Sequence, residues 1–260
     1  MKNILEKRTN LKSKLVKRQQ VYGGWMSIGH ASIAEILCHS GIDFLGIDLE
    51  HSTITQEQSQ RIIAACNAAK VVCLPRIASH NKEMARRILD SGADGLIVPM
   101  VNNADDVRAM IEWVKYPPMG RRGFGVSRAQ GYGFDFQEYT STWNGSSILI
   151  AQIESIDAVN GIDAILEIEE LDGVMVGPYD ISGSLNVPGQ IEHPKVIEAG
   201  LKVVEACRKF GKACGNQVVE PNAQNIKEAK DRGFTFTILS SDVFILWKWA
   251  AARQHDIAGS

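Results

Sequence analysis

The sequence predicts one domain of the α/β class, a (β/α)8 TIM barrel over residues 1–260 with a short helix before the first strand. Three observations indicate this fold. Eight apolar segments of strand length alternate with segments of helical length and periodicity. The strand segments are nearly continuous apolar runs, which is typical of parallel strands covered on both faces. A length of 260 residues suits one barrel of this kind.

The predicted elements follow one another at regular intervals along the chain. The strands span residues 21–28, 43–49, 71–77, 95–100, 147–154, 173–177, 213–218 and 234–239. The helices span residues 32–39, 56–69, 82–91, 104–115, 157–169, 193–210 and 221–231, and a last helix begins at Val243. Because a helix separates each strand from the next, we expect the strands to be parallel.

Two segments depart from this alternation. Before the first strand, Leu11 and Leu15 are spaced i,i+4, which indicates a short helix that closes one end of the barrel. Residues 116–146 are rich in glycine, arginine and aromatic residues and are too long for an ordinary connection. We expect this segment to cover an active site or to form an interface.

The composition argues against several classes of protein. A formal net charge of -2 is unlike the basic excess of nucleic-acid binders. No apolar run approaches the roughly 20 residues of a membrane-spanning helix. The five cysteines are scattered along the chain, so we expect reduced thiols in a cytoplasmic protein, and neither a zinc site nor disulfides.

Polar residues gather at the C-terminal ends of the predicted strands, where the βα loops of such barrels build the active site. Glu154 and Asp180 end neighbouring strands, so their carboxylates can converge. Two carboxylates without a nearby histidine or cysteine suit a hard cation such as Mg²⁺ or Mn²⁺. They can instead cap the following helices or pair with an arginine. The first and last strands add Ser27 and Ser240-Ser241-Asp242.

The second and third predicted strands end in charged residues. Asp48, Glu50 and His51 follow one another closely, and a carboxylate beside His51 can orient its ring and make it a general base. His51 can also be a structural histidine. Arg76 can bind a substrate carboxylate or an enolate oxygen with its forked donors, or it can form a salt bridge with Asp48 or Glu50.

Other catalytic chemistries lack their residues. No lysine lies at a predicted strand end, which argues against a Schiff-base aldolase. The stretch Gly123-Phe124-Gly125 lacks the third glycine of a dinucleotide-binding loop. No glycine-rich loop follows the last two strands, where barrels of this kind bind phosphate. A carbonyl substrate would therefore depend on a metal ion.

Eight short motifs occur in a fixed order along the chain. They are Asp48-Leu49-Glu50-His51, Pro75-Arg76, Leu89-Asp90-Ser91-Gly92-Ala93, Val98-Pro99-Met100-Val101, Tyr116-Pro117-Pro118, Arg122-Gly123, Gln152-Ile153-Glu154 and Gly177-Pro178-Tyr179-Asp180. In this order they resemble the HpcH/HpaI aldolases, from about Asn10 to about Trp249. Those enzymes are metal-dependent class II pyruvate aldolases, such as 4-hydroxy-2-oxoheptanedioate and 2-keto-3-deoxy sugar acid aldolases.

The resemblance implies a reaction and a role for the matching residues. A 4-hydroxy-2-oxo acid would be cleaved to pyruvate and an aldehyde, or formed from them, through a metal-stabilised pyruvate enolate. Glu154 and Asp180 would ligate the ion, Mg²⁺ or Mn²⁺, with Co²⁺ a further option. His51, assisted by Asp48, would be the general base. Arg76 would bind the pyruvate carboxylate and stabilise the enolate.

Further roles follow from the same resemblance. Gln152 would lie near the metal ion, and backbone N–H groups of the turn would hold the substrate carboxylate; the turn comprises Gly177, Pro178, Tyr179 and Asp180. Asp90 matches an acidic residue that helps to form the site near a subunit boundary. The family is typically hexameric, a trimer of dimers whose last helix is exchanged between subunits. Residues 243–251 are apolar enough for such a domain-swapped helix.

Two positions depart from the family pattern. Ser52 and Thr53 follow His51, where the family commonly has Gly-Pro or Ala-Pro. Tyr179 takes the place of the usual small residue before Asp180, where it can narrow the pocket or donate a hydrogen bond to the aldehyde. We expect the general chemistry to survive both changes, whereas the sequence does not indicate which aldehyde is used.

Three other functions stay open at this point. A metal-dependent 2-oxo acid decarboxylase, such as an oxaloacetate decarboxylase, needs the same enolate but no base. An acyl-CoA lyase is disfavoured because the chain lacks a basic cluster for the CoA phosphates. A catalytically silent metabolite-binding barrel is disfavoured because it would not need the base. The chain has all five residues of the expected machinery, which are Asp48, His51, Arg76, Glu154 and Asp180.

Overall fold

Eight parallel strands close into a barrel in chain order, which confirms the predicted fold. The computed structural model describes residues 2–258, and side chains from Ile4 onward. Each strand pairs with the next, and the last pairs with the first. The strands are β1 (Val21–Met26), β2 (Phe44–Asp48), β3 (Val72–Arg76), β4 (Gly95–Val98), β5 (Ile148–Ile153), β6 (Gly173–Val176), β7 (Ala213–Val218) and β8 (Phe236–Leu239).

Helices connect the strands around the outside of the barrel. They are α1 (Lys2–Val16), α2 (Ala31–Cys38), α3 (Gln56–Ala68), α4 (Lys82–Asp90), α5 (Ala104–Val114), α6 (Phe136–Ser146), α7 (Ile156–Asn160), α8 (Ile162–Leu166), α9 (Pro178–Ser184), α10 (Pro194–Lys209), α11 (Ala223–Asp231) and α12 (Asp242–Ala258). A 3₁₀ helix, Arg128–Gly133, precedes α6. The helix predicted over residues 157–169 is two short helices, because the Gly161 backbone is not helical.

Successive side chains along each strand point alternately into two buried clusters. One fills the barrel interior and includes the rings of Trp25, Phe44 and Phe236. The other, much larger, lies between the strands and the surrounding helices. Both faces of each strand are therefore buried, which explains why the strands read as continuous apolar runs.

Helix α1 closes the N-terminal end of the barrel, as the spacing of its leucines predicts. Leu11 and Leu15 are buried and join the interior cluster. Arg8 is also buried, and its Nη1 lies 3.2 Å from Asp94 Oδ1. The Arg8 guanidinium carbon lies 4.8 Å from the ring centroid of Trp143. Burial raises the pKa of Asp94 to about 6, although Arg8 acts to lower it.

The segment over residues 116–146 lies at this same N-terminal end. It begins where α5 ends, and its helical part packs against α1 and the 3₁₀ helix packs against α4. Within one chain the segment therefore does not cover the C-terminal ends of the strands, so that first alternative is wrong for a single chain. Its role in an interface stays a prediction.

Helix α12 differs from the other helices in how little of it is buried. Asp242 is the only buried residue over its length, residues 242–258. The large apolar side chains that it leaves exposed are Val243, Ile245, Leu246, Trp247, Trp249 and Ile257. None of the helices formed by residues 2–258 combines the length and the apolar character needed to cross a membrane.

We predict that Arg8→Met lowers the free energy of unfolding by about 3–5 kcal/mol at pH 8, because it leaves the Asp94 carboxylate buried with only the Cys73 N–H as a partner and without its salt bridge. At pH 5 the loss should be smaller, since a carboxyl whose pKa is about 6 is then largely protonated. Urea unfolding followed by circular dichroism at both pH values measures the two losses. The exposed Arg61, paired with Glu57, gives the matched control Arg61→Met, which should change stability by less than about 0.5 kcal/mol. Equal losses from Arg8→Met at both pH values would contradict this account.

Candidate active site

The buried Arg76 guanidinium lies at the centre of the C-terminal end of the barrel. Asp48 and Arg76 are the last residues of β2 and β3 and stand opposite each other in the sheet. Arg76 Nη2 lies 2.8 Å from Asp48 Oδ1, and Arg76 Nη1 lies 3.2 Å from Glu50 Oε2. The Arg76 side chain is only 10% exposed, so these carboxylates offset the cost of removing its charge from water.

Asp48 is held in its ionised form. Burial by itself would raise the pKa of this carboxyl, but Arg76 and two backbone N–H groups outweigh burial and lower the pKa. Those N–H groups belong to Glu50 and His51, and each lies 3.1 Å from Asp48 Oδ1. The salt bridge that the sequence left open as an alternative for Arg76 is present with both Asp48 and Glu50. A guanidinium has five N–H donors, so this pairing does not exclude a substrate carboxylate.

Trp25 forms the floor beneath Arg76. Its ring is buried inside the barrel, and the Arg76 guanidinium carbon lies 5.1 Å from the ring centroid. Gly46 leaves space for this ring, because a Cβ at residue 46 would lie 2.3 Å from Trp25 Cε3. The sequence analysis missed Trp25. It lies two residues before Ser27, and such spacing along a strand places both on one face.

Gln152 connects Arg76 to Glu154. Its Oε1 lies 3.4 Å from Arg76 Nη1, and its Nε2 donates a hydrogen bond of 3.1 Å to Glu154 Oε1. Gln152 is itself buried, so the amide is fixed between the two charged groups. The candidate substrate-binding arginine and the candidate metal-binding carboxylate therefore belong to one hydrogen-bonded network.

Glu154 is buried and held on both sides by backbone. Its Oε2 accepts a 2.8 Å hydrogen bond from the Met100 N–H. Met100 has a φ of 51°, a left-handed conformation that costs a non-glycine residue about 1–3 kcal/mol. On the other side, the Glu154 side chain occupies the space that a Cβ on residue 177 would need. Burial raises the pKa of Glu154 to about 6, and the nearby Asp180 and Glu50 charges add to the effect.

Asp180 lies close to this carboxylate in the first turn of α9, a helix absent from the sequence prediction. Its charge raises the pKa of both Glu154 and Glu50. The structure therefore places Glu154 and Asp180 as neighbours at one end of the barrel. Their role as metal ligands stays a prediction.

The turn that leads into α9 offers fewer free N–H groups than expected. The Gly177 N–H donates to the Ile153 carbonyl at 3.0 Å, within the barrel. Pro178 has no N–H. Only Tyr179 and Asp180, in the first turn of the helix, are left to hold a substrate carboxylate through the backbone. Tyr179 itself is 61% exposed at this end of the barrel.

His51 projects into solvent at the edge of the site, with 69% of its side chain exposed. Its Nε2 lies 3.8 Å from Glu50 Oε2. Asp48 binds the backbone N–H of His51, so the carboxylate nearest the ring is Glu50 instead. Burial raises the pKa of Glu50, whose buried Oε2 meets Arg76 as an ion pair and not as an aligned hydrogen bond. Glu50 therefore takes both positions that the sequence left open for it, one beside the His51 ring and one in a salt bridge with Arg76.

Asp90 lies away from the other predicted site residues. It ends α4, which starts near the C-terminal end of β3 and returns to the N-terminal side of β4. Its Oδ1 lies 2.8 Å from Nη2 of the buried Arg122. Within one chain Asp90 therefore cannot take part in the chemistry at Arg76, and any such role requires a second subunit.

The donor set at this end of the barrel fits a divalent cation. Four carboxylates lie at this end of the barrel, those of Asp48, Glu50, Glu154 and Asp180, and the Arg76 charge acts on the first three. Burial and mutual repulsion raise the pKa of Glu50 and Glu154, and a cation would relieve both effects. Across residues 2–258, no three His, Cys, Asp or Glu side chains form a ready cluster for a metal ion. Glu154 and Asp180 would therefore supply two oxygen ligands and leave the other positions to water and substrate.

Comparison with known proteins agrees with this geometry. The sequence profile of the HpcH/HpaI aldolase/citrate lyase family matches residues 22–248. The chain belongs to this family. Membership makes it a carbon–carbon lyase, because its relatives are aldolases. The resemblance carried by the eight motifs is confirmed.

Individual members of the family are similar over most of their length. A hydroxypyruvate/pyruvate aldolase of Roseobacter denitrificans is 32% identical over 90% of this chain and 91% of its own. A 2-keto-3-deoxy-L-rhamnonate aldolase of Salmonella typhi is 37% identical over 81% and 79%. The crystal structure of an HpcH/HpaI aldolase from Desulfitobacterium hafniense superposes with a TM-score of 0.86 at 31% identity, covering 95% of this chain and 96% of that one.

Ser52, one of the two departures from the family pattern, closes the turn that carries His51. Its hydroxyl donates a hydrogen bond to the Asp48 carbonyl and accepts one of 3.2 Å from the Ile54 N–H. A serine that binds the backbone in this way supports a tight turn without a proline. This departure therefore leaves the Asp48–His51 backbone conformation supported.

We predict that Gly177→Ala displaces the Glu154 carboxylate, because the new Cβ would lie 2.7 Å from Glu154 Cγ and 2.9 Å from Oε1. Binding of Mn²⁺, measured by electron paramagnetic resonance, should weaken by about tenfold or more. Gly183, in the same helix α9, is the matched control, because a Cβ added there would meet no atom within 4 Å. Gly183→Ala should bind Mn²⁺ as the parent does. Unchanged Mn²⁺ affinity in a folded Gly177→Ala protein would show that this glycine does not position Glu154.

Proposed function

We propose that the protein is a divalent-metal-dependent class II aldolase that reversibly cleaves a 4-hydroxy-2-oxo acid to pyruvate and an aldehyde. The observation that carries this proposal is the network in which Gln152 joins Arg76 to Glu154. The network places Arg76, which can bind the carboxylate of a substrate, beside Glu154, which can bind a metal ion. A 2-oxo acid would use both, the arginine for its carboxylate and the metal ion for its carbonyl oxygen. The names of the relatives, which include aldolases of pyruvate and of a 2-keto-3-deoxy sugar acid, support the same substrate class.

Glu154 and Asp180 would hold the metal ion, with Mg²⁺ or Mn²⁺ preferred by their oxygen ligands and Co²⁺ as a further option. When bound, the ion would act as a Lewis acid on the carboxylate and carbonyl oxygens of the 2-oxo acid. Gln152 and the Met100 N–H would keep the Glu154 carboxylate in place. Glu154 would be ionised more readily beside a cation, because the cation opposes the effect of burial on its pKa.

Arg76 would bind the substrate carboxylate and stabilise the negative charge that develops on the enolate oxygen. Its position is fixed before substrate arrives, by Asp48 and Glu50 beside it and by Trp25 beneath it. A donor fixed in a poorly solvated site stabilises charge without having to reorganise during the reaction. The N–H groups of Tyr179 and Asp180 would complete the grip on the carboxylate.

His51 would take the proton from the 4-hydroxyl group during cleavage and return it during addition. Its exposed ring lies at the mouth of the barrel, where a substrate that enters from solvent would place its aldehyde half. Asp48 would assist by fixing the backbone of His51, while Glu50 lies nearest to its Nε2. Tyr179, also exposed at this mouth, would contact the aldehyde half and narrow the choice of aldehyde.

We also propose that the protein forms a homo-oligomer, a hexamer built as a trimer of dimers, in which α12 packs on a neighbouring subunit. The support is the exposed apolar face of α12, which would be unfavourable in water. The segment over residues 116–134 exposes further apolar side chains at the end of the barrel near Asp90. Asp90 would then approach a site across a subunit boundary. Light scattering on the full chain measures the mass and tests this assembly.

The five cysteines are buried and unpaired, which supports a reducing compartment and a cytoplasmic location. No partner beyond small molecules and further copies of the chain is proposed, and neither nucleic acid nor membrane is expected as a ligand.

The proposal predicts release of pyruvate from 4-hydroxy-2-oxo acids in the presence of Mg²⁺ or Mn²⁺, and loss of that release with EDTA. Glu154→Gln should lower the rate by at least about 100-fold, because it removes charge from the metal site without changing volume. The exposed Glu198, on α10, gives the matched control Glu198→Gln, which should keep full activity. A coupled assay for pyruvate follows every variant. Full activity in metal-free protein would reject the proposed mechanism.

A second prediction separates the aldolase from a metal-dependent 2-oxo acid decarboxylase. His51→Ala should slow aldol cleavage by about 10²–10⁴-fold, the usual effect of losing a general base. Oxaloacetate decarboxylation should be much less affected, because no hydroxyl proton has to be removed. Arg76→Ala should slow both reactions, since both pass through the enolate. Rates are compared at saturating metal and substrate. Aldol cleavage by His51→Ala within a few-fold of the parent would favour the decarboxylase or a silent binding barrel.

A further inference from the structure

The junction between β8 and α12 is anchored to the end of β1 by a single buried carboxylate. Asp242 Oδ1 accepts a hydrogen bond of 2.9 Å from the Ser27 N–H, and Oδ2 accepts one of 2.9 Å from the Ile28 N–H. The Val243 N–H adds a third, at 2.8 Å. Asp242 is buried, whereas the α12 residues that follow it are largely exposed. Its carboxylate therefore binds N–H groups that follow β1 as well as an N–H group at the start of its own helix.

The backbone before Asp242 is itself fixed. Ser240 has a φ of 63°, and its N–H donates to the Val218 carbonyl at 2.9 Å. The Ser241 hydroxyl accepts the Phe244 N–H at 3.2 Å and so caps α12. Both serines are buried. The run Ser240-Ser241-Asp242, which the expected catalytic roles leave unused, thus holds one carboxylate in a defined position against β1.

Ser27 passes this constraint on to the candidate active site. Its hydroxyl donates to Asp48 Oδ2 at 3.4 Å. The other oxygen, Asp48 Oδ1, already accepts Arg76 Nε at 3.1 Å and the backbone N–H groups of Glu50 and His51. Among the described residues, Ser27 is the hydrogen-bond donor that reaches Oδ2. It therefore fixes the plane of the carboxylate that orients Arg76.

We propose that Asp242 is a positioning residue for the reaction, acting through Ser27 and Asp48 on Arg76. The inference rests on the proposed function, since it assigns Arg76 to the substrate carboxylate. Asp242 fixes the Ser27 backbone, the Ser27 hydroxyl fixes the free oxygen of Asp48, and Asp48 then presents the guanidinium in one orientation. The first residue of the proposed subunit-exchanging helix is thereby linked to substrate binding.

The test compares four variants in the full-length protein with Mn²⁺ present. Asp242→Asn removes one of the two acceptors for β1, and Ser27→Ala removes the hydroxyl but keeps the backbone N–H. Each should raise the Kd of pyruvate by about tenfold, measured by isothermal titration calorimetry, and lower kcat/KM for cleavage similarly. The double variant should behave like the weaker binder of the two, because both changes break one chain of contacts. Ser27→Thr keeps the hydroxyl and should restore binding to within about threefold of the parent.

Asp43, which directly precedes β2, provides a matched control because its carboxylate binds the backbone at the start of β1, whereas Asp242 binds the backbone just after the end of β1. Its Oδ2 accepts the Tyr22 N–H at 2.9 Å, and its Oδ1 lies 2.6 Å from Lys14 Nζ. Asp43→Asn removes a carboxylate cap from β1 as Asp242→Asn does, but far from Arg76. It should lower the thermal midpoint while leaving the Kd of pyruvate unchanged.

The outcomes separate this inference from the proposed function. If Arg76→Ala binds pyruvate as tightly as the parent, the proposed function fails. If Arg76→Ala weakens binding but Ser27→Ala and Asp242→Asn do not, only the positioning role fails. Additive effects in the double variant, or equal losses in Ser27→Thr and Ser27→Ala, would also overturn it. Because Ser27→Ala leaves the Asp242 contacts intact, the test stays decisive even if Asp242→Asn does not fold.

Discussion

Burial of the Arg76 guanidinium imposes the arrangement of the charged groups at the C-terminal end of the barrel. A cation removed from water in this way is stable only when negative charge is in contact with it. The buried carboxylates around it likewise require a positive charge in contact. Asp48 meets this need because β2 and β3 end level with each other, with the two residues opposite in the sheet. Glu50 and Gln152 complete the surroundings, and Gln152 extends the network to Glu154. Removing Arg76 would leave Asp48 and Glu50 without their cationic partner.

Two backbone features hold Glu154, a buried carboxylate that has no salt bridge with Arg76, beside this network. Met100 adopts a left-handed conformation, and its N–H meets one carboxylate oxygen. Gly177 lacks the side chain that would displace the other oxygen. Two backbone positions that follow different strands therefore serve one side chain. Local strain such as that of Met100 is characteristic of functional sites, where the surrounding fold supplies the stability that the site itself lacks.

Buried charged residues have different surroundings at the two ends of the barrel. At the N-terminal end, Arg8 and Asp94 are covered by α1 and by aromatic rings, and the pair is closed off from solvent. At the C-terminal end, four carboxylates lie around one buried arginine, and the side chains of His51 and Tyr179 are exposed at the rim. Asp242 ties this open end to α12, whose uncovered apolar face is suited to a neighbouring subunit. If the proposed assembly forms, Asp242 would connect the packing of α12 on a neighbouring subunit with the order of the site.

The sequence by itself determined the fold and the residues that share one end of it. Eight alternating apolar runs and helices leave a closed barrel as the solution, and parallel strands bring Asp48, Arg76, Glu154 and Asp180 to a common rim. Only the tertiary structure decided which group meets which. Asp48 binds the backbone of His51 and leaves the ring to Glu50, Trp25 lies beneath Arg76, and Asp90 sits at the opposite end. The physical reason is that spacing along a chain fixes the face and the end of an element, whereas the direction of a side chain depends on local dihedral angles and on packing against distant residues.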